Sequence, residues 1–324
     1  MYISQVFKVE HDWWRYVIGV FAAIVGVGIF SMPHLMALMI KVFDGTADQS
    51  KFEDMNYLLS LFEPNLNLVF ILLPFVGGLI CLLLVVKYLH KQSFKMLTTS
   101  RKKIDWKRFW FAFLFWGIIS SGMILIDYFA NPEGYELNFK FGKFVVLVII
   151  AIVLVPLQTS FEEYLFRGYL MQGIGVLVKN RWFPLVLTST VFGLLHIANP
   201  EIEKLGYILL VYYIGTGLFL GILTIMDDGL ELALGFHAAN NLFTALLVTA
   251  DWTAFQTHSV FKDISDPTKA GFMDVFAPVF IMFPILLLIF AKVYKWTNWK
   301  DKLFGSVIEP PKEDYKVLGE DISK

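Results

Sequence analysis

Three short polar groups interrupt long apolar stretches, and their residue types and spacing could perform hydrolysis. They are Phe161-Glu162-Glu163-Tyr164-Leu165-Phe166-Arg167-Gly168, Phe192-Gly193-Leu194-Leu195-His196 and His237-Ala238-Ala239-Asn240-Asn241. On a helix Glu163 and Arg167 stand four residues apart, share a face and can pair. Glu162 is turned by about 100° from Glu163 and is left free as a base. His237 and Asn241 are likewise one turn apart, so one face presents an imidazole and a carboxamide. Each group alone has a plainer reading. The three charges would be solvated at a membrane surface, with Thr159 and Ser160 marking a helix start. His196 would be a satisfied helix-end residue, and His237 with Asn241 a packing pair. An ionisable side chain at bilayer depth is costly, however, and the three groups together favour function.

The chemistry such a set supports is water activation. Glu162 and His196 can hold a water, and the carboxylate takes its proton as the water attacks a carbonyl. His237 and Asn241 can donate hydrogen bonds to the developing oxyanion, a contribution of roughly 3–4 kcal/mol per donor. A second reading makes Glu162, His196 and His237 a carboxylate–bis-imidazole zinc set, with the bound water brought to a pKa of about 7. No His-Glu-x-x-His signature occurs at any of the six histidines, and no Gly-x-Ser-x-Gly elbow is present. The single cysteine, Cys81, lies far from the polar groups and reads as a small core residue. Nucleophilic serine or cysteine catalysis therefore has no support.

The elements that must position these residues are membrane helices. Of 324 residues 57% are hydrophobic and 17% charged, too few charges to cover a soluble core of this size. A net charge of −1 gives no basic field for nucleic acid. Nine apolar segments can be marked, at roughly 17–40, 66–90, 109–130, 143–160, 161–178, 183–198, 206–226, 230–249 and 272–295. Without period-2 alternation they predict an all-α, polytopic bundle of about eight to nine membrane segments. The first segment is expected to be retained, since residues 1–16 are polar and its apolar run is long.

Between the second and third segments Lys87, Lys91, Lys95, Arg101, Lys102, Lys103, Lys107 and Arg108 are opposed only by Asp105, which marks that loop and the amino terminus as cytoplasmic. Lys292, Lys295, Lys300, Lys302, Lys312, Lys316 and Lys324 argue for a cytoplasmic tail and an even number of crossings. Nine crossings contradict that. If Glu162 begins a helix and His196 ends the next, a hairpin puts them at similar depth, which favours 161–178 as its own span; the two signals conflict. The organisation expected is amino-terminal spans with a basic loop (1–142), a catalytic core (143–249), and a last span with a Lys-rich tail (250–324).

Taken in order on apolar helices, Glu162-Glu163-x-x-x-Arg167, Phe192-x-x-x-His196 and His237-x-x-x-Asn241 resemble the motifs of the CPBP family. These are the CAAX proteases and bacteriocin-processing enzymes, also called the Abi family, which include the type II CAAX prenyl endopeptidases. The resemblance covers roughly residues 143–249; Ile104-Asp105-Trp106-Lys107-Arg108-Phe109 adds a weaker likeness. It implies an intramembrane endopeptidase of the cell membrane acting on a membrane-associated peptide or protein. It also implies Glu162 as base, His196 as its partner on the water, His237 and Asn241 as oxyanion stabilisers, and Glu163 with Arg167 as support. The family is named for metalloproteases, and a metal-free glutamate mechanism is also proposed for it, so both zinc on Glu162, His196 and His237 and a metal-free site stand as expectations. The competing classes are a non-catalytic scaffold or maturation partner and a proton-coupled transporter. Paired Gly/Pro-interrupted helices in two halves, expected of many transporters, do not recur.

Overall fold

The computed structural model describes residues 1–269, 271–309 and 311. Among them the apolar sequence folds into helices α1 (Trp13–Phe43), α2 (Pro64–Tyr88), α3 (Trp106–Ala130), α4 (Phe141–Val178), α5 (Trp182–Leu194), α6 (Leu209–Asp227), α7 (Glu231–Leu247) and α8 (Phe272–Tyr294). Six of these, α1 to α4, α6 and α8, are long and apolar enough to cross a membrane. Their outer faces carry exposed Phe21, Ile118, Ile126 and Ile152, the surface a bundle shows to lipid. The all-α polytopic architecture is as expected.

One boundary between segments is not. Residues 143–160 and 161–178, expected as two segments, form the single 38-residue helix α4, about 57 Å long. Thr159 does not cap a helix start: its hydroxyl donates back to the carbonyls of Val155 at 3.2 Å and Pro156 at 3.3 Å, inside the helix. The chain runs on through a π-helical stretch, Tyr164–Leu170, so Glu162 sits mid-helix instead of starting one. With that fusion the amino-terminal residues and the described residues after α8 lie at one end of the bundle. There the Tyr2 hydroxyl donates to Leu97 O at 2.5 Å, Val307 N to Lys179 O at 2.9 Å and Arg181 to Asp301 O at 2.7 Å. Lys312, Lys316 and Lys324 lie outside the described residues.

Helix α5 has 13 residues, about 20 Å, which is shorter than the roughly 30 Å hydrocarbon core. The chain then turns through the short helix Pro200–Leu205 before α6 returns. Close approaches hold the bundle where small residues face each other. A Cβ on Gly26 of α1 would strike the Gly77 backbone of α2, and one on Gly235 of α7 would strike the Phe109 carbonyl of α3. At the end opposite the chain termini, β1 (Tyr135–Leu137), β2 (Val248–Thr249) and β3 (Phe261–Asp263) form a small sheet in the order β1-β3-β2. β1 pairs antiparallel with β3, and β2 pairs parallel with it. The segment after α7 is tied down by Thr257, whose hydroxyl donates to Ala245 O at 2.7 Å, and by His258 against Glu63 at 2.6 Å.

Candidate active site

Helix α4 places Glu162 and Glu163 directly before its π-helical stretch, a distortion often found at functional sites. Glu163 and Arg167 are fully buried and pair at 2.9 Å. Arg167 also donates to Gly217 O on α6 at 3.2 Å, and its guanidinium lies 4.2 Å from the Phe192 ring centroid. The same Glu163 oxygen accepts the Nδ1–H of His237 at 2.8 Å. That bond commits Nδ1 and turns Nε2 toward Glu162, whose Oε2 is 3.5 Å away. Glu162 Oε2 is buried without a hydrogen-bond partner among the described residues, and Glu162, unlike Glu163, lines an open cavity.

That cavity, about 490 Å³, gathers Glu162, His196, His237 and Asn241. His196 follows the end of α5. Its Nδ1–H donates to Phe192 O at 2.8 Å and its ring stacks on Tyr213 with centroids 4.2 Å apart, leaving Nε2 as the free nitrogen. The direct neighbour of Glu162 is thus His237, while His196 shares the cavity with it. Asn241 donates from Nδ2 to Gln158 Oε1 at 3.1 Å. Its own Oδ1 accepts from Asn240 at 3.1 Å, and Asn240 accepts from Trp116 at 3.0 Å. This amide chain fixes the Asn241 plane and leaves one Nδ2 hydrogen uncommitted.

Gln158, Tyr213 and Glu201 also line the cavity and were not singled out from the sequence. Gln158 stands one helical turn before Glu162, so the spacing that joins His237 to Asn241 would have flagged it. Glu201 accepts from the Ala254 N–H at 2.8 Å through one oxygen, while the other is buried without a hydrogen-bond partner among the described residues; burial pushes its carboxyl pKa up. A buried ionic network was also unforeseen. Arg101 pairs with Asp227 at 2.6 Å and with Glu231 at 3.0 Å, and Arg108 pairs with Asp227. It clamps the start of α7, the helix that carries His237.

Both histidines anchor Nδ1 on an oxygen, as metal-binding imidazoles do, and His237 turns Nε2 to Glu162. The spacing differs: among the described residues no three His, Cys, Asp or Glu side chains form a group that could hold a metal ion.

A profile of the Type II CAAX prenyl endopeptidase Rce1-like family matches residues 141–243, which contain Glu162, His196, His237 and Asn241. The chain is 31% identical over 237 residues to an uncharacterized protein, YyaK, of Bacillus subtilis (strain 168), covering 73% of this chain and 78% of that one. No solved structure matches the chain. The helical fold defines a multi-pass membrane protein with a polar cavity between its helices. The chain belongs to the CAAX protease family.

Proposed function

We propose that this chain is an intramembrane endopeptidase that hydrolyses a peptide bond of a membrane-associated substrate, with Glu162 as the general base. The observation that carries this reading is the unpartnered Oε2 of Glu162, buried yet facing the cavity beside His237 Nε2. A lone carboxylate oxygen in such a place retains its full capacity to accept a proton from water.

In the proposed reaction a water held between Glu162 and His196 gives its proton to Glu162 as its oxygen attacks the scissile carbonyl carbon. The oxyanion receives hydrogen bonds from the spare Nδ2 hydrogen of Asn241 and from His237 Nε2. The carbon–nitrogen bond then breaks, and the proton on Glu162 passes to the leaving amine. Glu163 orients His237 through Nδ1, and Arg167 is the counter-charge to Glu163 in the interior. The chain is placed in the cell membrane with a cytoplasmic amino terminus, on the strength of the basic residues between Lys87 and Arg108.

The test is incubation of the purified full chain with a library of membrane-anchored peptides, with new termini read by mass spectrometry. Wild-type protein generates termini that Glu162→Gln does not. Identical products from both, or none from either, would overturn the reading and leave a scaffold or transporter role.

A further inference from the structure

The cavity around Glu162 reaches the loops at one end of the bundle, and the sequence says on which side of the membrane that end lies. Its lining runs from the middle of the bundle, where α2 gives Phe75 and α4 gives Gln158 and Glu162, toward one end only: Tyr213 is close to the start of α6, and Thr244 is close to the end of α7. Beyond them the lining continues into loops, with Glu201, Trp252 and Phe255 around the rim.

The opposite end is shut by charge pairs. Arg101 and Arg108 bridge the loop before α3 to Asp227 and Glu231, and Lys302 pairs with Asp228. These acids sit at the α6–α7 turn, directly beneath the helix that bears His237. The sealed end is also where basic residues collect. The α2–α3 connection carries eight, from Lys87 to Arg108. The α4–α5 turn adds Lys179 and Arg181, and Lys295, Lys300 and Lys302 follow α8. At the open end, with the flanking helix ends counted in the same way, seven lysines are spread over four connections: Lys41 and Lys51, Lys140 and Lys143, Lys204, and Lys262 and Lys269. Lysine and arginine in short connections mark the cytoplasmic side.

We infer that the cavity opens on the non-cytoplasmic face and receives polypeptide presented from that side. The substrate is then a membrane-anchored chain whose scissile segment has already been carried across the bilayer, so translocation must precede cleavage. The sidedness stands independently of the hydrolytic reading; only the substrate class rests on it.

The experiment is thiol labelling of the full chain in intact cells. Cys81→Ser removes the native thiol, and single cysteines are introduced at Asp251→Cys by the rim and Lys102→Cys at the sealed end. Both positions are exposed. Ser265→Cys serves as a second open-end position. A membrane-impermeant sulfonated maleimide should label Asp251→Cys and Ser265→Cys in intact cells, and Lys102→Cys only after permeabilisation, with at least a tenfold contrast. Labelling of Lys102→Cys in intact cells, with or without the others, would overturn the assignment. Because labelling needs no turnover, a failed cleavage assay leaves this result unaffected, and a reversed pattern leaves Glu162 chemistry untouched.

Discussion

Replacing Arg167 by alanine should damage the fold far more than replacing Glu162, the proposed catalytic residue. Arg167 and Glu163 are both fully buried, and removing one partner of such a pair strands the other as an uncompensated charge, at a cost of about 3–5 kcal/mol. The same change leaves Gly217 O without its donor and removes the cation from the Phe192 face, a loss of ~0.5–2 kcal/mol on its own. Glu162→Ala instead deletes a carboxylate whose Oε2 has no hydrogen-bond partner among the described residues. Its effect should stay within about 1 kcal/mol, because no matched bond is lost. At about 2 °C per kcal/mol for a chain of this length, Arg167→Ala should lower the melting temperature by roughly 7–14 °C and Glu162→Ala by no more than roughly 2 °C. The assay is tryptophan fluorescence of the purified proteins, heated in one detergent. Equal melting temperatures for the two variants would refute the division between a supporting ion pair and a free base.

Three further outcomes follow from the site. Asn241→Ala should lower kcat by roughly 10²–10³-fold with KM little changed, as loss of an oxyanion donor does; a pure KM effect would reassign Asn241 to substrate binding. Activity should survive exhaustive chelation, because no step requires a metal; loss on chelation with recovery on adding zinc would replace base catalysis with metal activation. Burial raises the pKa of Glu201, so the folded protein binds this proton more tightly than the unfolded chain does. Stability should therefore fall as pH rises from the ordinary carboxylate range through the raised value. Glu201→Gln should flatten that part of the melting-temperature profile, and superimposable profiles would contradict it.

Much of the helical plan was legible because it is local. Apolar runs locate α1 to α3 and α6 to α8 to within a few residues. The four-residue spacing of Glu163 and Arg167 gives their ion pair directly. The fusion of 143–160 with 161–178 was hidden because two charges and a Thr-Ser pair imitate a helix boundary. In fact Thr159 hydrogen-bonds within the helix, and the charges are neutralised by Arg167 and His237 from the same helix and from α7. The partnership of Glu162 with His237 was also out of reach. It depends on Glu163 turning the imidazole, a contact between residues 74 positions apart. Gln158 was overlooked although its spacing from Glu162 was visible, whereas the Arg101–Asp227–Glu231 clamp joins segments whose proximity only the fold supplies.

The most direct measurement is the rate of peptide cleavage by Glu162→Gln at matched folding, beside wild type. The substitution keeps the side chain's size and removes its capacity to take a proton. Hydrolysis driven by Glu162 predicts a fall in kcat of at least about 10²–10⁴-fold, the usual contribution of a positioned base, with the melting temperature unchanged. Cleavage within twofold of wild type by the folded variant would contradict Glu162 as the base.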